Sequence, residues 1–126
     1  MGAAIVEHCL ELLAPLGVVR ARRMFGGHGL YFDELFFALI AAERLYLKVD
    51  DESRPAFVAA GCEPFVYDAK SKALAMGFWT APADAMESPA LMQPWAQQAL
   101  AAALRARAAK RPAKTRRRST TRVPKG

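Results

Sequence analysis

Apolar positions recur along this chain with two different periods, and the switches between them mark its elements. Ile5, Val6, Cys9, Leu10, Leu12 and Leu13 repeat at helical spacing, with Glu7, His8 and Glu11 left for water. Pro15 and Gly17 end that helix. Val18 to Phe25 is short, mixed and basic through Arg20, Arg22 and Arg23, which predicts a connection or a first edge segment. Leu30 to Phe32, Leu35 to Ala41 and Arg44 to Val49 then read as three consecutive strands, with Asp33-Glu34 and Ala42-Glu43 as tight hairpin turns. Along the third, Leu45, Leu47 and Val49 face one way while Tyr46 and Lys48 face the other. The second strand does not alternate: Phe36 to Ile40 are all apolar. That suits the centre of a sheet, with burial under a second copy of the chain as the alternative.

The second half repeats the logic. Asp50, Asp51, Glu52 and Ser53 supply acceptors and negative charge where a helix begins. Pro55 is tolerated in its first turn, Phe57, Val58 and Ala60 continue it, and Gly61 fits its C′ position. Phe65 to Tyr67 and Leu74 to Trp79 predict a further hairpin around the polar loop Asp68 to Lys72. Ser88-Pro89 is an N-cap and N1 pair. After it Leu91, Met92, Trp95, Ala99, Leu100, Ala103 and Leu104 form one apolar stripe, and the alanine-rich end carries the helix toward Lys110 until Pro112 halts it. The order is helix, three strands, helix, two strands, helix, an α+β fold with helices packed on an antiparallel sheet. The domain occupies residues 1–109. Residues 110–126 have almost nothing to bury and are expected to be a disordered basic tail.

Charge changes the picture, because it is unevenly placed. Residues 1–104 hold eight Lys and Arg against all twelve Asp and Glu, whereas residues 105–126 hold ten Lys and Arg and no acid. The net charge of +6 therefore describes the tail and misdescribes an anionic body. Arg105, Arg107, Lys110, Arg111, Lys114, Arg116, Arg117, Arg118 and Arg122 are the candidate phosphate contacts. Lys and Arg displace counterions from a polyphosphate without reading its sequence. Arg20, Arg22 and Arg23 extend that surface if they share its side.

Other candidate chemistry is thinner. The glycines around His28 (Gly26, Gly27 and Gly29) could cradle an anion, but neither dinucleotide nor P-loop spacing is present and a strand follows, so a structural turn is the better reading. Asp50, Asp51 and Glu52 could hold a divalent cation, yet capping explains all three. Phe25, Tyr31, Phe32, Tyr46, Phe78 and Trp79 could stack bases, or simply fill a core; Tyr46 beside Lys48 is the pair to look for at the surface. Cys9 and Cys62 sit in apolar settings without CxxC spacing and read as reduced, buried thiols. No nucleophile, base and orienter set is readable, so no catalytic residue, metal or cofactor is expected. No leader or spanning segment is evident, since the longest uncharged apolar run is Leu35 to Ala42; a cytoplasmic protein with no membrane partner is expected.

Several ordered segments together resemble the N-terminal domain of the TfoX/Sxy family. They are Arg22 to Tyr31, Phe37 to Ile40, Leu45 to Asp50, Phe57 with Ala59 to Gly61, Glu63 to Phe65 with Tyr67, Met76 to Trp79, and Trp95-Ala96 with Ala99-Leu100. The resemblance implies an α+β sheet-and-helix fold and a bacterial protein tied to regulation of DNA uptake competence or transcription. It supplies no catalytic residues. Family members with two domains carry a second, helix-hairpin-helix-like module, where this chain passes from its last helix into the basic tail. The expectation is thus a non-enzymatic regulatory protein whose tail contacts nucleic acid non-specifically and whose body serves as a platform for a transcription partner. The alternative is a homodimeric interaction module with no nucleic-acid role.

Overall fold

The computed structural model describes residues 2–24, 27–65 and 77–116. Helix α1 (Gly2–Leu13) is followed by a 3-10 turn (Ala14–Leu16) and strands β1 (Val19–Met24), β2 (Gly27–Phe32), β3 (Leu35–Ala41) and β4 (Arg44–Lys48). After them come helix α2 (Arg54–Ala59), strand β5 (Phe78–Thr80), a 3-10 turn (Asp84–Glu87) and helix α3 (Pro89–Arg116). All five strands form one antiparallel sheet in the order β1-β2-β3-β4-β5. The α+β expectation holds, and the segment from Val18 is its edge strand.

The turns are where the residue spacing placed them. Asp33, Glu34, Ala42 and Glu43 all have positive φ, between 52° and 69°, the primed-turn geometry that matches strand twist. Gly61, at φ 81°, closes α2 with both bonds of a Schellman motif, its own N–H to Val58 and that of Cys62 to Phe57. Ser88 Oγ accepts the Leu91 N–H at 3.0 Å and so caps α3.

One irregularity explains the strand that would not alternate. Leu30 faces Ala38 but Tyr31 faces Phe36, so Phe37 is an extra residue in β3. The bulge puts Phe37 and Ala38 on the same side of the sheet, and both belong to the main core with Leu35 and Ile40. Phe36, Leu39 and Ala41 point to the other side, where they join Tyr46, Phe78 and Phe65. The central strand thus contributes apolar side chains to both faces of the sheet.

Helices α1 and α3 cover one face of the sheet. Phe37, Phe57, Leu12, Leu13, Leu30, Leu47 and Met92 are fully buried there. The α3 stripe sits differently from its predicted position: Met92, Ala96, Ala99, Ala102 and Ala103 are buried, whereas Leu91 and Leu104 are exposed. Alanine at the contact lets the helix axis approach the sheet, so the small residues take the centre and the leucines flank it.

Two further expectations are corrected, and a third is seen in part. Gly27, His28 and Gly29 are not turn residues but lie within β2, while Phe25 and Gly26 lie outside the described residues. Pro112 does not end α3, which runs on to Arg116, so residues 110–116 are helix and not disordered tail. Proline removes one N–H bond, here the one to Ala108, whose residue is exposed and whose carbonyl water can reach, while the alanines on either side favour helix. The second hairpin is seen in part. Phe65 N–H donates to Phe78 O at 2.7 Å and Thr80 N–H to Glu63 O at 2.8 Å, so the two arms pair. Tyr67, the Asp68 to Lys72 loop and Leu74 to Met76 lie outside the described residues. No described helix is long and apolar enough to cross a membrane.

Candidate functional site

Residues opposite each other in an antiparallel sheet share a face, and the register sorts the strands' cations accordingly. Arg20 pairs with Tyr31, Arg22 with Gly29, Leu39 with Tyr46, Ala41 with Arg44, and Lys48 with Phe78. These all lie on the face away from the helices. Four of the eight Lys and Arg in residues 1–104 therefore stand together there: Arg20, Arg22, Arg44 and Lys48. Arg23, paired with His28, belongs to the opposite side. Among the described residues, no strand position on this face is Asp or Glu. The described acids sit in α1, in the hairpin turns, in the Asp50 to Glu52 loop, at Glu63 and in the second 3-10 turn.

A row of rings runs between these cations. Arg22 lies over Tyr31 at 5.1 Å; Tyr31 stacks on Phe36 at 5.1 Å; Phe36 meets Phe78 at 5.0 Å; Lys48 lies over Phe78 at 5.3 Å. Arg44 approaches Tyr46, which meets Phe65 edge-on. Of the rings proposed as a stacking platform, Phe32 and Trp79 pack against the helix-side core, Tyr46 and Phe78 are buried on the opposite face, and Tyr31 is half-exposed. Phe25 lies outside the described residues. Arg20, Arg22 and Tyr31 also line a cleft of about 330 Å³ that Asp33 and Glu34 close at the turn end.

The glycines of β2 make this face possible. A Cβ on Gly27 would meet the Ile40 carbonyl oxygen at 2.2 Å, and one on Gly29 would meet Met24 Cε at 2.7 Å and Phe36 Cε1 at 2.9 Å. They are there for close approach rather than for a phosphate cradle. This is the signal that the sequence carried and spacing alone did not decode.

The C-terminal cations divide by helical position. Arg105 is committed: its Nε donates to Asp50 Oδ2 at 2.6 Å, its Nη2 to Asp50 Oδ1 at 2.9 Å, and Nη1 lies 3.1 Å from Glu52. A phosphate would have to displace two carboxylates to reach it. Because the backbone is helical through Arg116, positions 107, 110, 111 and 114 follow at i, i+3, i+4 and i+7, one helical face distinct from that of position 105. Arg116 is the last helical residue. Arg117, Arg118 and Arg122 lie outside the described residues.

Asp50 is the hub of the opposite arrangement. Its Oδ1 accepts the Ser53 N–H at 3.1 Å while its own N–H donates to Ser53 Oγ at 3.1 Å, a reciprocal cap at the start of α2. The Arg105 guanidinium, more than this cap, holds the Asp50 carboxyl well below the usual carboxylate range. Asp51 pairs with Arg54, and Glu52 with Arg105. Capping thus accounts for Asp50, and ion pairing for the other two. His8, on the outer side of α1, reaches the Met86 carbonyl oxygen at 2.8 Å and ties α1 to the second 3-10 turn.

Neither cysteine is disulfide-bonded. Burial pushes the Cys9 thiol up to about 12. Cys62, only half-buried, is also raised by burial, with a Thr80 hydrogen bond opposing. A thiol raised in this way is a poor nucleophile at neutral pH.

Sequence comparison places these features in context. The TfoX N-terminal domain model matches residues 11–103. The DNA transformation protein TfoX1 of Aliivibrio fischeri is 34% identical over 65 residues, covering 52% of this chain and 31% of that protein. The match thus spans about a third of that relative's length.

Proposed function

Because this chain belongs to the TfoX N-terminal domain family, we propose that it is a non-enzymatic regulatory protein linked to DNA transformation, holding nucleic acid by its phosphates. The relative named for DNA transformation supplies the process. What supports phosphate contact is the cationic stripe on the end of α3. Arg107, Lys110, Arg111 and Lys114 occupy one face of a helix that continues past the body, with Arg116, Arg117, Arg118 and Arg122 following in sequence. A helix presenting one row of cations can lie along a phosphate backbone, gaining counterion release and no base readout. Arg105 is left out of this set, since its charge is already matched. The body, whose thiols are raised and whose acids are capped or ion-paired at the Asp50 loop, performs no bond-making. It serves as the platform for a transcription partner in the cytoplasm.

The test is the unsubstituted chain against Lys110→Gln/Arg111→Gln/Lys114→Gln, titrated into a labelled duplex of arbitrary sequence. The triple variant is expected to flatten the log–log salt slope by about 2 to 3, at roughly 0.9 for each phosphate no longer engaged. A slope unchanged from the parent contradicts the proposal.

A further inference from the structure

The sheet treats its two edges differently. At one edge the chain covers itself: Phe65 N–H donates to Phe78 O, Thr80 N–H donates to Glu63 O, and Pro64 bridges Trp79. The outer side of β5 is thereby paired. At the other edge, β1 pairs only with β2 among the described residues. Successive residues of an antiparallel strand aim their N–H and C=O to opposite sides. Half of the residues of Val19–Met24 therefore turn both groups away from β2, along a front of about 20 Å. The β1–β2 register runs without a shift from Val19↔Phe32 to Met24↔Gly27, and β1 contains no proline. Neither a bulge nor a missing N–H blunts this edge.

We infer that the outer edge of β1 accepts an extended acidic segment of a partner protein as a sixth strand. This gives the partner platform of the proposed function a location; it rests on that part of the reading and is independent of the α3 stripe. Charge selects the occupant. Arg20 and Arg22 stand on the face away from the helices and Arg23 on the opposite one, all three exposed. Among the described residues none of them is in an ion pair. Arg22 rests on the Tyr31 ring at 5.1 Å, which leaves the in-plane donors of its guanidinium to a carboxylate. Alternate side chains of a strand share a face about 6.8 Å apart, so carboxylates two residues apart on an added strand match Arg20 and Arg22. Beside these arginines, the cleft of about 330 Å³ bordered by Val18, Tyr31 and Phe32 offers room for a larger side chain, as strand-adding partners commonly use. Asp33 and Glu34 close it at the turn, so the partner's acidic positions start at Arg20 and run toward Arg23. A second copy of β1 laid on this edge brings arginine against arginine, which opposes self-pairing. A polynucleotide has no amide ladder to offer the edge.

The experiment follows backbone amide NMR signals of the nitrogen-15-labelled chain as an eight-residue peptide of alternating Glu and Val is added. Comparison peptides carry the same composition as two blocks, N-methyl groups on the Glu residues only, N-methyl groups on the Val residues only, or Lys in place of Glu. Arg20→Glu/Arg22→Glu is titrated alongside, its fold verified by circular dichroism. The alternating peptide is expected to shift residues 19–24 saturably. One of the two N-methylated peptides should lose this binding and the other keep it, since only alternate N–H groups face the edge. The Glu variant should lose about tenfold in affinity, as two exposed ion pairs near the top of their range allow, and should gain binding of the Lys–Val peptide. Shifts confined to residues 105–116, equal binding of the block peptide or of both N-methylated peptides, or no shifts at all overturn the inference. Each of these leaves phosphate contact to be judged separately by the salt slope of the α3 triple variant. Shifts of residues 19–24 on concentrating the chain alone assign the edge to a second copy, and tighter binding there of a 20-nucleotide single strand assigns it to nucleic acid; either result also overturns the inference.

Discussion

At the scale of single residues, two glycines in one strand differ in what surrounds them. A methyl group on Gly29 would press the ends of Met24 and Phe36, which can turn aside. One on Gly27 would press the Ile40 carbonyl, which is backbone held in the sheet. Gly29→Ala should therefore lower unfolding free energy by about 1 kcal/mol, and Gly27→Ala by about 3 kcal/mol. Urea titration of the two variants checks this; equal losses would mean that the β2–β3 approach is looser than described. These glycines were legible as important but not in kind. Sequence spacing shows Gly-Gly-His-Gly, and only the register shows that two of the three glycines look across a strand at a neighbour.

Asp50 belongs to the same scale. Its folded pKa is depressed by Arg105, so the stabilisation is fully present above the ordinary carboxylate value of about 4 and drains away as pH falls below it toward the folded value. Asp50→Asn should flatten the fall of melting temperature with acidification below pH ~4 and lower it at neutral pH. An acid limb identical in both proteins would remove the pair from the account. No charge pattern pointed to this contact, since positions 50 and 105 meet only through the fold.

At the scale of elements, hydrophobic periodicity carried strands β2 to β4, both hairpin turns, the C′ glycine of α2 and the Ser88 cap. What it could not carry was cooperative. The bulge at Phe37 is invisible in a string of residues because it is a property of two strands, and it turns an alternating strand into an apparently continuous apolar run. Edge strand β1 was half-legible: only Val19 and Ala21 of its six residues pack against the main core, so its pattern is faint. Helix α3 outlasted Pro112 because local propensity on both sides outweighs one missing bond.

At the scale of the whole molecule, net charge by segment concealed a division by surface. An anionic total for residues 1–104 still places arginines on one sheet face, because the described acids collect in helices, turns and loops while the strands hold arginine. Arg105 shows the converse: part of a basic run in sequence, it spends its charge inside the body on Asp50 and Glu52. A cation's place in a basic run of sequence therefore does not decide whether its charge is already matched. Helix α3 joins the two ends of that arrangement, packing on the sheet through its alanines and carrying the stripe beyond it.

The salt dependence of nucleic-acid binding by the intact protein addresses that arrangement most directly. Contacts from the α3 stripe predict a log–log slope of about −3 or steeper between 50 and 300 mM monovalent salt, at roughly 0.9 per phosphate engaged. A slope shallower than about −1, at any affinity, would show that these cations do not meet phosphate.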